Sequence, residues 1–194
     1  MTIPKHDSVL SQVAPHVADH FGLWAIEPGY LQAAVDRVQG CDLTNHVQLQ
    51  GAVSRSRFGG PGYAISDGVA VIELTGVLMK AVSSMGSGTS TVETRRQIRS
   101  IVQNSFVEKI LLLIDSPGGT VAGMTDLADE VARAAKQKPI WAYIEDLGTS
   151  AAYGVASRAE RIYANRTAHV GGIGTYGVVL DLSKLATSIE GRIL

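Results

Sequence analysis

The chain has 194 residues, of which 45% are hydrophobic and 18% charged, and its formal net charge is −1 at pH 7. This length and composition suit one globular domain with a sizeable core and exclude a disordered chain. Because the charge is near zero and both signs are interspersed, nucleic acid and anionic membranes are not expected as partners.

Cysteine content and apolar runs limit the possible disulfides, the possible cofactors and the cellular location. Cys41 is the one cysteine, so an intrachain disulfide is excluded and a thiolate metal site is not expected. No metal-ligand cluster is evident in the sequence, and no cofactor is expected. The N-terminus lacks the apolar core of a signal peptide. The longest fully apolar run, Ile110 to Ile114, is too short to cross a bilayer. These features predict a soluble, cytoplasmic protein without a membrane anchor.

The N-terminal third differs from the rest of the chain in its composition and residue pattern. Residues 1–45 predict a short helical segment, with loose helical spacing from Asp7 to His20 and a second helix from Pro28 to the stop at Gly40. Residues 46–66 are rich in glycine and serine and predict a linker. Residues 67–194 predict the main domain.

Strands and helices alternate along this main domain. A capping box at Ser90 to Glu93 opens one helix, and Ser150 opens another that is rich in small residues. Such alternation predicts an α/β fold with a largely parallel sheet built from repeated βα units. The predicted strands are Val69–Leu74, Lys109–Ile114, Ile140–Ile144 and Arg161–Ala164, and a helix is predicted at Val121–Lys136.

Glycine or serine follows four of these strands. In a right-handed parallel arrangement the C-terminal ends of the strands share one edge, where ligands bind. We therefore expect Ser150 to face the Gly118-Gly119 turn, with an accessible hydroxyl as nucleophile and two backbone N–H groups as an oxyanion hole. The small residues Ala151 and Ala152 would let the helix pack tightly behind it. This arrangement is typical of acyl transfer.

Each of these features also has a structural interpretation. A Gly-Gly turn after a strand is commonly only a turn, and a serine at a helix start is commonly only an N-cap. Asp115 could orient a base, but a carboxylate before Ser-Pro more often accepts local turn hydrogen bonds. The spacing of the two features through one βαβ unit is what favours a functional site.

The proton acceptor is not evident from the sequence. His169 follows a strand end and could reach the edge, although a surface or packing role is favoured. Lys80 and Lys184 are the other candidate bases, since a buried lysine can activate a serine. Lys80 suits a solvated loop position equally well.

Taken together, residues 68–191 resemble the signal peptide peptidase A (protease IV) family of serine peptidases, within the Clp protease/crotonase fold superfamily. The resemblance covers most of the chain and implies that fold. It rests on the order and spacing of Thr75-Gly76-Val77-Leu78, Leu113-Ile-Asp-Ser-Pro-Gly-Gly119, Ser150-Ala-Ala-Tyr153, Ala159-Glu-Arg-Ile-Tyr-Ala164, Gly171-Gly-Ile-Gly174 and Asp181-Leu-Ser-Lys-Leu185.

The resemblance implies roles for individual residues. The nucleophile of the family falls on Ser150 and its oxyanion glycines on Gly118 and Gly119. Ala151-Ala152 stands where many relatives have two glycines, and Gly172 replaces a frequent serine. The general base of the family is a lysine after a further strand, so we expect it beyond Leu194 and expect this chain to be a truncated form with weak or no activity. Lys184 precedes the family position.

The resemblance implies a serine endopeptidase with a Ser–Lys dyad, acting on protein or peptide substrates as a homo-oligomer. The segment Trp24-Ala-Ile-Glu-Pro28 and the missing anchor resemble the phage and prophage branch, whose members process capsid or scaffold proteins during head maturation in the bacterial host. Two alternatives remain. One is a catalytically inactive assembly or scaffold-binding module, and the other is a crotonase-like enzyme acting on acyl-CoA, for which no adenine or phosphate pocket is evident.

Overall fold

A computed structural model of the chain describes residues 22–26, 29–30, 32–33, 62–81 and 88–178. Within these ranges, strands and helices alternate and the strands form two sheets. The strands are β1 (Gly22–Ile26), β2 (Tyr63–Ser66), β3 (Val69–Thr75), β4 (Val77–Met79), β5 (Gly88–Ser90), β6 (Lys109–Ser116), β7 (Gly118–Thr120), β8 (Ile140–Thr149), β9 (Arg161–Ala164), β10 (His169–Gly171) and β11 (Tyr176–Val178), and the helices are α1 (Thr91–Gln103), α2 (Met124–Ala135) and α3 (Ala151–Ala156).

The larger sheet has the strand order β10-β8-β6-β3-β2, and β9 also pairs with β8. All of its pairs are parallel except β2 with β3. The smaller sheet has the order β11-β1-β7-β4-β5, in which β1 is antiparallel to both neighbours and β4 is parallel to both of its own. The predicted α/β class with a largely parallel sheet is therefore confirmed.

One face of the larger sheet forms the core. Burial alternates along β3 and β6, as expected when successive side chains point to opposite faces. The helices close this face with Ile98, Ile101, Leu127, Val131 and Val155. The side chains buried on the sheet face are Ala70, Ile72, Leu74, Ile110, Leu112, Ile114, Ile140, Ala142 and Ile144.

Helix α1 is bounded at both ends by side chains. Ser90 is its N-cap and accepts a hydrogen bond from the Glu93 backbone N–H at 3.2 Å, so the predicted helix start is confirmed. At the other end, Lys138 Nζ donates to the carbonyl oxygens of Asn104 at 2.5 Å and Val107 at 2.6 Å. A cation at a helix C-terminus satisfies carbonyls that have no partner within the helix.

An ion cluster joins α1 to α2. The buried carboxylate of Glu130 accepts hydrogen bonds from Arg99 at 2.8 Å and forms an ion pair with Arg133 at 2.9 Å. Burial raises the pKa of this carboxyl, but the hydrogen bonds from Arg99 and Arg133 together lower it by more, so its pKa lies below the usual value. The cluster lies between the helices and contacts neither strand exit.

Strand β8 differs from the prediction by continuing past Ile144 to Thr149. Its pairing with β6 shifts register after Ile144, so that Ser116 lies opposite Gly148. The segment Glu145-Asp-Leu-Gly148 has the composition of a turn, and for this reason the sequence analysis ended the strand too early. The register shift lies a few residues before Ser150, and bulges are over-represented next to active sites.

The predicted N-terminal organisation needs correction. Within the segment 1–45 that we expected to be helical, Gly22–Ile26 forms strand β1 and pairs with β7 and β11. Residues 29–30 and 32–33 are helical, and the helix predicted from Asp7 to His20 lies outside the described residues. The linker predicted at 46–66 overlaps β2, which pairs with β3. Isolated short runs gave too little periodicity to identify either strand.

Candidate active site

Ser150 occupies a strained turn between β8 and α3. Its φ of 55° and ψ of −115° place it in a region that glycine favours, and it is the N-cap of α3. Holding a residue other than glycine in such a region costs about 1–3 kcal/mol, and this strain concentrates at active sites. A serine on a strained strand-to-helix turn is also the geometry that exposes the nucleophile of α/β-hydrolases.

The loop Gly171–Gly174 contacts Ser150, and we call it the glycine loop. The Ser150 backbone N–H donates to the Gly171 carbonyl at 2.6 Å, and Ser150 Oγ donates to the Gly174 carbonyl at 3.2 Å. Ser150 is consequently only 7% exposed, which corrects the expectation of an open hydroxyl. The loop that covers it is 24 residues away in sequence, beyond the reach of local pattern analysis.

The structure brings Gly118 against the Ser150 turn. Gly118 has a φ of 103°, and a Cβ built on it would lie 3.0 Å from both the Ala151 nitrogen and the Thr149 carbonyl oxygen. Gly119 follows between β1 and β4, where a built Cβ would lie 1.8 Å from the Leu78 carbonyl oxygen. The juxtaposition expected of neighbouring parallel strands is thus present, and both positions admit glycine alone.

The backbone N–H of Gly118 is already engaged. It donates to Ser116 Oγ at 3.2 Å, and the same hydroxyl donates to the Gly76 carbonyl at 2.6 Å. By contrast, no hydrogen bond from the Ala151 N–H occurs among the described residues. The sequence analysis named Gly118 and Gly119 as donors and missed Ala151, although the residue after a nucleophile commonly supplies an oxyanion donor.

None of the candidate bases in the described part of the chain contacts Ser150. His169 is exposed at the start of β10. Lys80 is exposed, and its carbonyl accepts a hydrogen bond from Ser90 Oγ. Asp115 contributes its backbone carbonyl to a bond from the Gly76 N–H. Lys184 lies outside the described residues.

Thr149 was also missed by the sequence analysis. It ends β8 and is 5% exposed, and its buried Oγ1 has no hydrogen-bond partner among the residues that the structure describes. Within the described ranges, no group of histidine, cysteine, aspartate and glutamate side chains is placed to hold a metal ion. The helices of the described residues include none that is long and apolar enough to cross a membrane.

Comparison with known proteins connects this geometry to a peptidase family. Residues 132–190, which include Ser150 and the glycine loop, match the model of Peptidase family S49. The chain is 31% identical over 164 residues to "Capsid assembly protease C" of Escherichia phage lambda, covering 78% of this chain and 37% of that protein. It is 37% identical over 118 residues to "Head-tail preconnector protein GP5" of Enterobacteria phage P21, covering 58% of this chain and 23% of that protein.

A cellular relative and a solved structure extend the comparison. The chain is 31% identical over 123 residues to "Protease 4" of Salmonella typhi, covering 62% of this chain and 20% of that protein. It therefore spans between 20% and 37% of the length of these three relatives. A crystal structure of an enoyl-CoA hydratase/isomerase family member is similar at a TM-score of 0.46 and 18% identity, over 64% of this chain and 51% of that one.

The resemblance inferred from sequence motifs is confirmed by these matches, which include both cellular and phage proteins. Residues 132–190 are similar to Peptidase family S49, and the chain is similar in sequence to a phage capsid assembly protease, a phage head-tail preconnector protein and a cellular protease.

Proposed function

We propose that the chain carries the nucleophilic half of a serine endopeptidase, with Ser150 as the attacking residue. The observation that carries this proposal is the strained backbone of Ser150, which lies against Gly118 and within the glycine loop. Strain of this kind persists only where the surrounding structure imposes it, and an ordinary N-cap needs none. Ser150 makes no side-chain capping bond to α3, so the cap function does not account for the residue.

In the proposed reaction a base takes the proton of Ser150 Oγ as this oxygen bonds to the substrate carbonyl carbon. The carbonyl electron pair moves to the carbonyl oxygen, which becomes an oxyanion. Backbone N–H groups of the Gly118-Gly119 turn and of Ala151 are the proposed donors to it, and one such donor contributes about 3–4 kcal/mol. Since the Gly118 N–H now points at Ser116 Oγ, its participation requires sharing or release of that bond.

The proposed base is a lysine downstream of Leu194, as the family resemblance implies. The described lysines support this because two of them are held away from Ser150 and the other two, Lys80 and Lys136, are exposed. Lys138 binds the end of α1, Lys109 lies 5.4 Å from the centre of the Trp141 ring, and Lys80 is exposed. A base must replace the Gly174 carbonyl as the partner of Ser150 Oγ.

The names of the phage relatives suggest the biological setting. We propose that the substrates are capsid or scaffold proteins, that the peptidase works as a homo-oligomer, and that it acts in the cytoplasm of an infected or lysogenic bacterium. The proposal draws on the "Capsid assembly protease C" of phage lambda.

A second candidate is a catalytically inactive assembly module. The low exposure of Ser150 and the engagement of the Gly118 N–H with Ser116 favour it. In such a module, Ser150→Ala would leave function unchanged, so one variant separates the two candidates.

The test uses the longest natural chain that contains this sequence, incubated with a denatured protein substrate. Ser150→Ala is expected to lower kcat by about 10⁴-fold or more, as removal of an activated serine does elsewhere. The matched control is Ser157→Ala, which removes the hydroxyl that bonds the Gly154 carbonyl at the end of α3 and should leave kcat unchanged. Equal cleavage by wild type and Ser150→Ala would overturn the proposal.

A further inference from the structure

Ser116 links two of the loops that follow strands of the larger sheet. It ends β6 and is fully buried. Its Oγ donates to the Gly76 carbonyl at 2.6 Å and accepts a hydrogen bond from the Gly118 N–H at 3.2 Å. Gly76 directly follows β3, and Gly118 begins the turn that is the proposed oxyanion hole. A single buried hydroxyl therefore ties this turn to the end of the neighbouring strand.

Ser116 also lies near the strand end that carries the proposed nucleophile. In the pairing of β6 with β8, Ser116 is opposite Gly148, two residues before Ser150. Beyond Ser116, a Cβ built on Gly118 would lie 3.0 Å from the Ala151 nitrogen. The turn that Ser116 holds therefore approaches the backbone next to the nucleophile.

The Gly118-Gly119 turn does not fix its own geometry. Consecutive glycines have more backbone freedom than other residues, and Gly118 uses this freedom with a φ of 103°. Downstream, Gly119 is held by pairing with β1 and β4. Upstream, the Ser116 hydroxyl binds the Gly118 N–H. Oxyanion donors act by being held in place before the reaction, so the upstream bond affects how well they are placed.

We propose that Ser116 is a positioning residue, whose hydroxyl holds the Gly118-Gly119 turn where its N–H groups can stabilise the oxyanion. This inference rests on the proposed function. The bond from the Gly118 N–H is long at 3.2 Å, and an N–H can be shared between two acceptors, so the bond can persist while the oxyanion forms. The shorter bond to the Gly76 carbonyl anchors the hydroxyl.

Removal of this hydroxyl distinguishes three roles. If it positions the turn, Ser116→Ala lowers the rate of the chemical step and leaves substrate binding nearly unchanged, because a small displacement of a catalytic group costs rate. If it competes with the oxyanion for the Gly118 N–H, its removal raises the rate. If it only stabilises the fold, the rate is unchanged and stability alone falls.

The experiment uses the longest natural chain that contains this sequence, with casein as the substrate and a fluorophosphonate as the probe of Ser150. In the probe reaction, Ser150 Oγ displaces fluoride from phosphorus, and the phosphoryl oxygen carries the negative charge that the turn would stabilise. Ser116→Ala is expected to lower both kcat and the labelling rate of Ser150 by about 10- to 100-fold, and to change KM by less than about twofold.

Ser90→Ala is the matched control, because its hydroxyl makes the same pair of bonds at the start of α1. Ser90 Oγ donates to the Lys80 carbonyl at 2.7 Å and accepts from the Glu93 N–H at 3.2 Å. Both alanine variants should lower Tm, but Ser90→Ala should leave kcat and the labelling rate unchanged. Ser116→Cys offers a weaker hydrogen-bonding group of similar shape, and it gives the same test if Ser116→Ala does not fold, with an expected loss of about threefold or more.

Four outcomes overturn the inference. Wild-type rates in Ser116→Ala, or in Ser116→Cys where the alanine variant does not fold, show that the hydroxyl only stabilises the fold. A faster reaction shows that it competes with the oxyanion. An equal loss of rate in Ser90→Ala shows that general destabilisation is the cause. A wild-type chain that is neither labelled at Ser150 nor dependent on it for activity overturns the proposed function as well, whereas the first three outcomes leave the proposed function standing.

Discussion

The inner face of the larger sheet and the edge where its strands end differ in how completely their groups are satisfied. On the inner face, side chains such as Ile72, Leu112 and Ile144 are fully buried and apolar. At the edge, Ser150 has a strained backbone and Thr149 has an unpaired hydroxyl. The two regions adjoin along the same strands, because β8 contributes Ile144 to one and Thr149 to the other.

This difference separates the region that stabilises the fold from the region that contains the candidate site. Burial of apolar area on the inner face supplies the free energy of folding. At the edge, strain and unpaired polar groups each lower the free energy of unfolding by about 1–3 kcal/mol. Substitutions in the core should therefore lower stability, and some substitutions at the edge should raise it.

The largest expected effect is at Gly119, where the edge has no room for a side chain. Gly119→Ala places a methyl group against the Leu78 backbone and should destabilise the chain by about 4 kcal/mol or more, enough to unfold a domain of ordinary stability. The matched control is Gly174→Ala, because a Cβ there meets nothing within 4 Å. Thermal unfolding followed by circular dichroism measures both. A folded Gly119→Ala with unchanged Tm would show that the close approach of β7 to β4 is absent.

Substitutions on the two faces of β6 test whether the core face is packed more tightly than the outer face. Leu112→Ala removes a fully buried side chain and should cost about 3 kcal/mol. Leu111→Ala changes the neighbouring half-buried side chain on the other face and should cost about 1 kcal/mol. Urea unfolding gives both values. Equal losses would mean that the outer face is as well packed as the inner one.

The Glu130 cluster should make stability depend on pH. Because the folded pKa of Glu130 is lowered, its contribution is complete above the usual carboxyl pKa of 4.5 and is lost as the pH falls through the lowered value. Glu130→Gln should cost about 1–2 kcal/mol at pH 7, since both arginines are exposed to solvent, and the difference from wild type should vanish at low pH.

Asp126→Asn is the matched control for this cluster, because it removes the more exposed pair with Arg95. We expect it to change stability by less than about 0.5 kcal/mol at either pH. Urea unfolding at pH 7 and pH 3 measures these differences. A cost of Glu130→Gln that persists unchanged at pH 3 would exclude the carboxylate as its source.

The smallest expected effect tests the strain at Ser150. Ser150→Gly relieves the backbone strain, whereas Ser150→Ala retains it, so the glycine variant should be the more stable of the two by about 1 kcal/mol. Parallel urea unfolding of the two variants measures the difference. If Ser150→Ala is the more stable, the backbone of residue 150 is relaxed and the contrast between edge and core is lost.

Much of the fold could be predicted from local patterns. A short run of β-branched and apolar residues identifies β3, a continuous apolar run identifies β6 and the capping box identifies the start of α1, because these signals lie within one element. The end of β8 could not be predicted, since a register shift lets a turn-like segment remain in the sheet. Strand β1 was missed because its partner β7 is distant in sequence.

The candidate site, like the fold, could be predicted only in part. Neighbouring parallel strands bring Gly118 to Ser150, and this follows from topology alone. The hydrogen bond from Ser150 Oγ to Gly174, the occupation of the Gly118 N–H by Ser116 and the unpaired Thr149 hydroxyl do not follow from it. These three features depend on the contacts between loops that follow different strands.

Covalent labelling is the sharpest test of whether Ser150 is the nucleophile that attacks the substrate. The longest natural chain containing this sequence is treated with a fluorophosphonate probe, digested and mapped by mass spectrometry. We expect one modified residue, Ser150, and no modification in Ser150→Ala. A folded chain that stays unmodified, or one that is modified at a different serine, would contradict it.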